Sequence, residues 1–335
     1  MIGSKAAPKR NRLTDLDKLT GIAITLVVIG HLETGPYLDF VGLEWYKFLK
    51  NFIYSFHMPL FMFLSGYVWS YTVPKINNIK EYFSYIKKKF FRLMPSYFIV
   101  AGLILLAKLF FIKYFFINNP AQGLSEFWEV IYKPTASYAG FLWYVYVLFE
   151  YYLFFPILLF LFKNKINLVL LATIPFLFIE ITDFFAINFF LHFLFFFSLG
   201  ILAERRSEQY LKLIDGYSTV FLFFFFTACC LFFIFPIPKF IMGCLSIPAL
   251  HTFVRNYLND KSGLFKTIGF FSFSIYLMNV PVTGLIKAVS FMFLGVTYAN
   301  FYLLAFFMVI CGIALPVLIK KYIINRIPII QSYIG

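Results

Sequence analysis

The stretch GIAITLVVIGHLETG, residues 21–35, decides how the chain is read. It is apolar enough to cross a bilayer, yet it carries a histidine at position 31. An imidazole in hydrocarbon loses its water and must find a partner, so an ionisable group inside a span marks a functional site by default. The whole chain supports that setting. Of 335 residues, 61% are hydrophobic, 23% are aromatic and only 13% are charged, too apolar for a soluble fold to bury in one core. A span needs about 20 mostly apolar residues, and runs of that length recur from residue 19 to residue 319.

The expected architecture is an all-α polytopic membrane protein with about ten transmembrane helices. The spans are placed at 19–38, 49–72, 94–117, 139–161, 166–186, 188–203, 217–235, 239–254, 267–288 and 298–319. Residues 1–335 read as a single transmembrane domain, with a basic N-terminal segment at 1–18, a helical bundle at 19–319 and a tail at 320–335. The first segment is long for a signal-peptide core and lacks a small-residue cleavage site, so it reads as a retained helix.

A formal net charge of +14 would suit nucleic acid, but the Lys and Arg residues collect in alternate connections between apolar runs. That pattern is a topology signal, placing both termini in the cytoplasm and leaving no role for nucleic acid. The four cysteines lie in apolar runs without metal-ligand spacing, so no metal is expected. LFFFFTACCLFF, residues 222–233, reads as a lipid-facing or packing span. The connection 118–138 is expected to lie at the outer interface as an amphipathic cap.

The remaining signal lies in polar residues within spans. With the first helix running outward and the second returning, His31 and His57 fall at similar depth. Asp17, Thr20, Ile24, Val27 and His31 share one helix face, a stripe of ~16 Å from Thr20 to His31. Pro59 removes a backbone donor just after His57 and loosens the helix there. Ser272, Tyr276, Asn279 and Thr283 form a second polar stripe, readable as part of a site or as hydrogen bonds between helices. Trp143, Tyr146 and Glu150 share a face of the fourth span. Glu150 reads equally as an acid or as a structural ion pair, with Lys108 its candidate partner.

RLTDLDKLTGIAITLVVIGH resembles the opening helix of acyltransferase family 3, integral-membrane O-acyltransferases that modify bacterial surface polysaccharides. FHMPLFMFLSGY, KKFFRLMPSY, FLWYVYVLFEYYLFFP, FFSLGIL and FSFSIYLMNVP resemble later family segments, in the same order. The resemblance implies a bundle of about ten helices that takes an acyl group, usually acetyl, from cytoplasmic acyl-coenzyme A and delivers it to a sugar hydroxyl. The family histidine falls on His31, but the family arginine falls on Thr20, whose hydroxyl cannot supply a guanidinium's charge. The basic Arg-x-x-Arg motif becomes Lys89 and Arg92. Asn279 stands where a histidine is frequent, and Leu148 where many members have an acid.

On this reading His31, His57, Tyr276, Asn279 and Glu150 are the catalytic candidates. Lys87, Lys88, Lys89, Arg92 and Thr20 are the donor-binding candidates. The donor is acetyl-coenzyme A or another short acyl-coenzyme A. The partners are membrane lipids and a polysaccharide or lipid-linked glycan, and the location is the bacterial inner membrane. A transporter or flippase for lipid-linked sugars, and a glycan polymerase, are the competing readings of a polar path through a helical bundle.

Overall fold

In a computed structural model of the chain, residues 10–32, 44–114, 117, 119–294 and 301–326 are described. Among them every regular element is helical and no strand occurs. The chain's termini lie outside the described residues, so the expected cytoplasmic placement of both ends does too, as does the outer end of the first expected span.

The main helices are α1 (Arg10–Gly30), α2 (Glu44–Thr72) and α3 (Ile79–Phe111), then a short α4 (Glu129–Tyr132), α5 (Trp143–Leu161) and α6 (Ile166–Thr173). They continue as α7 (Ile187–Arg205), α8 (Ser207–Gly216), α9 (Ser218–Phe232), α10 (Lys239–Asn256), α11 (Leu264–Phe270), α12 (Ser272–Leu294) and α13 (Phe301–Tyr322). Five helical segments are long and apolar enough to cross a bilayer, or six if α8 and α9, bent by 72°, form one broken span. They correspond to the third, fourth, sixth, seventh, ninth and tenth expected spans. The expected fifth, 166–186, is not one helix. It stops at Thr173, makes a 3-10 turn at Pro175–Leu177 and continues irregularly, because proline cannot donate to the preceding turn and crowds its carbonyl.

The outward faces of the long helices are apolar: Phe160, Leu303 and Phe226 stand open, as does much of the α9 phenylalanine run. Such a surface fits lipid. Packing between lipid-immersed helices therefore rests on close approach rather than on water exclusion. Two glycine crossings supply that approach. A Cβ on Gly66 of α2 would fall against the Phe197 carbonyl oxygen of α7, and one on Gly200 of α7 against the Phe63 carbonyl oxygen of α2. Likewise Gly21 of α1 faces the Phe265 carbonyl of α11, and Gly269 of α11 faces the Asp17 carbonyl of α1. Near the first crossing the buried Ser70 hydroxyl donates to Glu204 Oε2 at 2.7 Å, joining the ends of α2 and α7. Trp69 Nε1 donates to Tyr85 Oη at 2.7 Å, joining α2 to α3.

The connection before α5 is more tightly bound to the bundle than hydropathy alone suggests. One side of it packs into the bundle, while Leu124, Trp128 and Lys133 on the other stay exposed. Tyr97 sits 14 residues before the end of α3, about 21 Å down the helix, and its phenol still reaches the Val130 carbonyl at 2.6 Å. Tyr146 donates to the Ile131 carbonyl at 2.9 Å, and Lys108 donates to the Asn119 and Tyr138 carbonyls, each at 2.7 Å. Irregular backbone inside a bundle needs such donors. Val130, Ala121, Ala139 and Leu142 are buried within it.

Replacing Gly66 or Gly200 by valine drives side-chain atoms into backbone carbonyls. An overpacking cost of about 1–3 kcal/mol or more follows, so either variant should show a lowered melting temperature and reduced folded yield in detergent. Gly284, where an added Cβ meets open space, should accept alanine with no loss of stability.

Candidate active site

α1 ends at Gly30, and the last carbonyls of a helix have no intrahelical donor. Two tyrosines of α2 supply donors. Tyr54 Oη lies 3.1 Å from the Gly30 carbonyl oxygen. Tyr46 Oη lies 3.3 Å from the Ile29 and 3.3 Å from the Gly30 carbonyl oxygens. His31 follows at once, half-buried, with Nδ1 3.2 Å from Tyr54 Oη. The Tyr54 ring stands edge-on to His31, with centroids 5.9 Å apart. On its other side it lies 4.9 Å from the ring of His57. Lys50, one turn earlier in α2, places Nζ 5.3 Å from the Tyr54 ring centroid. The two histidines thus flank one tyrosine, which the sequence reading did not single out. Its signal was available, since Lys50, Tyr54 and His57 recur at helical spacing on one face of α2.

His57 is 5% exposed and its Nδ1 lies 2.8 Å from the Ile53 carbonyl oxygen. A carbonyl only accepts, so Nδ1 carries the hydrogen and Nε2 of the neutral ring is an acceptor. A neutral His57 therefore offers no donor for an oxyanion.

The second polar stripe serves in part as hydrogen bonds between helices. The Tyr276 hydroxyl donates to the Phe141 carbonyl and accepts from the Tyr144 amide at 3.2 Å, tying α12 to the start of α5. Asn279, 1% exposed, spends both amide hydrogens on the Ile275 and Tyr276 carbonyls at 2.8 and 2.9 Å. Its Oδ1 is buried and lacks a hydrogen-bond partner. Glu150 Oε2 is buried and unpartnered too. The expected Lys108 partner is instead donating to the carbonyls of the connection before α5. Asn279 thus presents an acceptor, not a donor, to the interior, and Glu150 an unpartnered carboxyl oxygen.

At the opposite end of α2, the start of α3 carries the basic motif. Lys87, Lys88 and Arg92 are exposed. Lys89 is half-buried, with Nζ 4.5 Å from the Tyr152 ring centroid and 5.6 Å from that of Tyr85. Tyr85 is bonded to Trp69, and Trp69 is about 22 Å along α2 from Tyr54. The basic motif and the histidines therefore sit at opposite ends of the bundle.

Thr20 turns its hydroxyl onto its own helix, donating to the Leu16 carbonyl at 2.7 Å. The nearby guanidinium comes from another helix. Arg255 of α10 grips Asp215 of α8 through Nε at 2.9 Å and Nη2 at 2.7 Å, and reaches Asp15 of α1 through Nη1 at 2.8 Å. Sequence reading had taken Arg255 only as a topology charge. Three of its five donors are spent on carboxylates, so it braces the N-terminal part of α1. The hydrogen bonds from Arg255 hold the Asp215 carboxyl below its ordinary range, while burial pushes that of Asp15 upward. Among the described residues no three His, Cys, Asp or Glu side chains converge on a metal position.

Comparison with known proteins bears on this geometry. A family model described as an acyltransferase domain matches residues 13–320. The chain is 47% identical over 70 residues to nodulation protein NolL of Mesorhizobium japonicum, covering 20% of this chain and 18% of that relative. It is 42% identical over 71 residues to nodulation protein NolL of Sinorhizobium fredii, covering 21% of this chain and 19% of that one. The match thus spans about a fifth of the length of these curated relatives. No solved structure matches.

Lysine in place of Arg255 keeps the charge but cannot hold both carboxylates with one fork. The variant should melt below the native protein at neutral pH. Because the Asp215 carboxyl is depressed in the folded state, its contribution is present above the ordinary carboxylate pKa and lost as pH falls through the lowered value. The gap between variant and native protein should therefore narrow in acid, as followed by thermal melts across pH.

Proposed function

The chain belongs to this acyltransferase family, and from that premise we propose that it moves a short acyl group, acetyl in the first instance, from cytoplasmic acyl-coenzyme A to a hydroxyl of a lipid-linked or cell-surface glycan in a bacterial inner membrane. The observation that carries the reading is the separation of two unlike sites along one bundle. An imidazole cluster lies at the end of α1, and an exposed basic group of Lys87, Lys88 and Arg92 lies on α3 just past Tyr85, which meets α2 at Trp69, about 22 Å along α2 from Tyr54. Coenzyme A has that bipolar form, with phosphates at one end and the thioester at the other. The cations take the phosphates, and the extended arm carries the acyl carbon toward His31.

In this mechanism the free imidazole nitrogen of His31 accepts the proton of the acceptor hydroxyl as its oxygen attacks the thioester carbonyl carbon. The tetrahedral intermediate collapses with cleavage of the carbon–sulfur bond, and the imidazolium returns its proton to the departing thiolate. His57, with Nε2 as acceptor, receives a second hydroxyl of the acceptor and orients it. The buried Asn279 Oδ1 suits an amide N–H of the donor arm or a sugar hydroxyl, and the buried Glu150 carboxyl a sugar hydroxyl, which would end their lack of partners. Tyr276 holds α12 against α5 and so keeps Asn279 in place. Thr20 takes no part in phosphate binding, because its hydroxyl is committed to its own helix. Lys89 supports the basic group from between two tyrosine rings.

Loss of a general base removes about two to four orders of magnitude in rate. His31→Ala should remain folded and transfer almost no label from radiolabelled acetyl-coenzyme A to membrane glycan, and transfer at the native rate would overturn the assignment. The double variant Lys89→Ala with Arg92→Ala should raise the donor concentration needed for half-maximal rate while leaving the maximal rate largely intact. Glycan mass spectra from cells with and without the gene should differ by one acyl increment. Equal spectra with altered glycan export would favour a transporter.

A further inference from the structure

We infer that Tyr54 is a positioning residue that sets the tautomer of His31, holding the hydrogen on Nδ1 so that Nε2 is the nitrogen that accepts the substrate proton. The inference rests on the proposed role of His31 and adds the residue that prepares it.

The argument is a count of hydrogens. Four atoms compete around the end of α1: the Ile29 and Gly30 carbonyl oxygens, which only accept, and Tyr46 Oη and Tyr54 Oη, which carry one hydrogen each. Tyr46 Oη is equidistant, at 3.3 Å, from both carbonyls, whereas Tyr54 Oη approaches Gly30 alone, at 3.1 Å. Serving both carbonyls takes both phenolic hydrogens, Tyr46 to Ile29 and Tyr54 to Gly30. The Leu32 amide also donates to the Ile29 carbonyl, but at 3.4 Å it is a weak replacement for a phenol. Once the Tyr54 hydrogen points at Gly30, the oxygen presents only lone pairs to His31 Nδ1, 3.2 Å away. That contact is then a hydrogen bond only if Nδ1 donates. The opposite arrangement, with Tyr54 donating to Nδ1, leaves the two carbonyls one phenolic hydrogen and the long Leu32 amide contact between them, in apolar surroundings where buried polar groups favour well-made bonds.

The rest of the environment agrees. Lys50 stands over the Tyr54 ring and His57 packs against it, so the ring is held from two sides and its hydroxyl has little freedom to turn away. His57 shows the same solution by a different partner, with Nδ1 bonded to the Ile53 carbonyl and Nε2 left as an acceptor. Both imidazoles then expose the same kind of nitrogen, which suits a pair that must accept hydrogens from neighbouring hydroxyls of one acceptor. The general logic is that the partner of one ring nitrogen decides the chemistry of the other.

Tyr54→Phe keeps the ring and removes only the oxygen. The expected result is a fall in kcat of about 10²-fold with little change in KM for donor or acceptor, and a folded protein whose melting temperature is lowered by the loss of the Gly30 donor. Imidazole 15N spectra of protein in lipid nanodiscs, with the His31 signals assigned by difference against His31→Gln, should show hydrogen on Nδ1 in the native protein and on Nε2 in Tyr54→Phe. Native His31 with its hydrogen on Nε2 would overturn the inference, and that measurement stands even if the variant fails to fold. Unchanged kcat in Tyr54→Phe alongside an inactive His31→Ala would overturn it too, while sparing the role of His31. An active His31→Ala would instead remove the catalytic reading on which the inference rests.

Discussion

Backbone contact at the glycine crossings sets the depth of every polar group in this bundle. Gly66 and Gly200 let α2 and α7 touch main chain to main chain, and Gly21 and Gly269 do the same for α1 and α11. In lipid, where apolar side chains gain little by leaving one apolar medium for another, such contact is a principal source of helix association. A fixed approach also fixes register. With α1 held at Gly21 and α2 at Gly66, the end of α1 meets α2 at Tyr46 and Tyr54, and the last carbonyls of α1 find their donors.

That meeting point is where the chemistry gathers. A helix end in hydrocarbon leaves carbonyls without partners, and covering them with phenols brings His31 into contact with Tyr54 as a consequence. The same economy governs the segment before α5, which enters the bundle only because Tyr97, Tyr146 and Lys108 serve its carbonyls. What stays unserved is confined to a few atoms, among them Asn279 Oδ1 and Glu150 Oε2. In an interior that satisfies so many main-chain groups, these atoms stand out as places for a ligand's polar groups.

Charge is distributed with equal selectivity. The cations Lys87, Lys88 and Arg92 of α3 stay exposed, whereas Arg255 is neutralised by Asp15 and Asp215 and serves as a brace. The family arginine position, Thr20, stands beside this brace without sharing its bonds. Donor recognition in the proposed mechanism therefore rests on α3 alone.

Composition and apolar run length were enough to establish an all-helical membrane protein, because a bilayer demands internally satisfied backbone over about 20 residues whatever the neighbours are. The ordered motifs identified the family for a similar reason, since residue identity along the chain needs no third dimension. Span counting failed at 166–186, where hydropathy is blind to the break at Pro175. Nor does it show how the 118–138 connection is anchored, which depends on phenols from α3 and α5 that are remote in sequence. His31 and His57 were legible as intramembrane imidazoles, but Tyr54 between them was not, and neither were the acceptor roles of Asn279 and His57. Those depend on which hydrogen goes to which carbonyl, and only the packing of α1 against α2, and of α12 against its own backbone and α5, decides that.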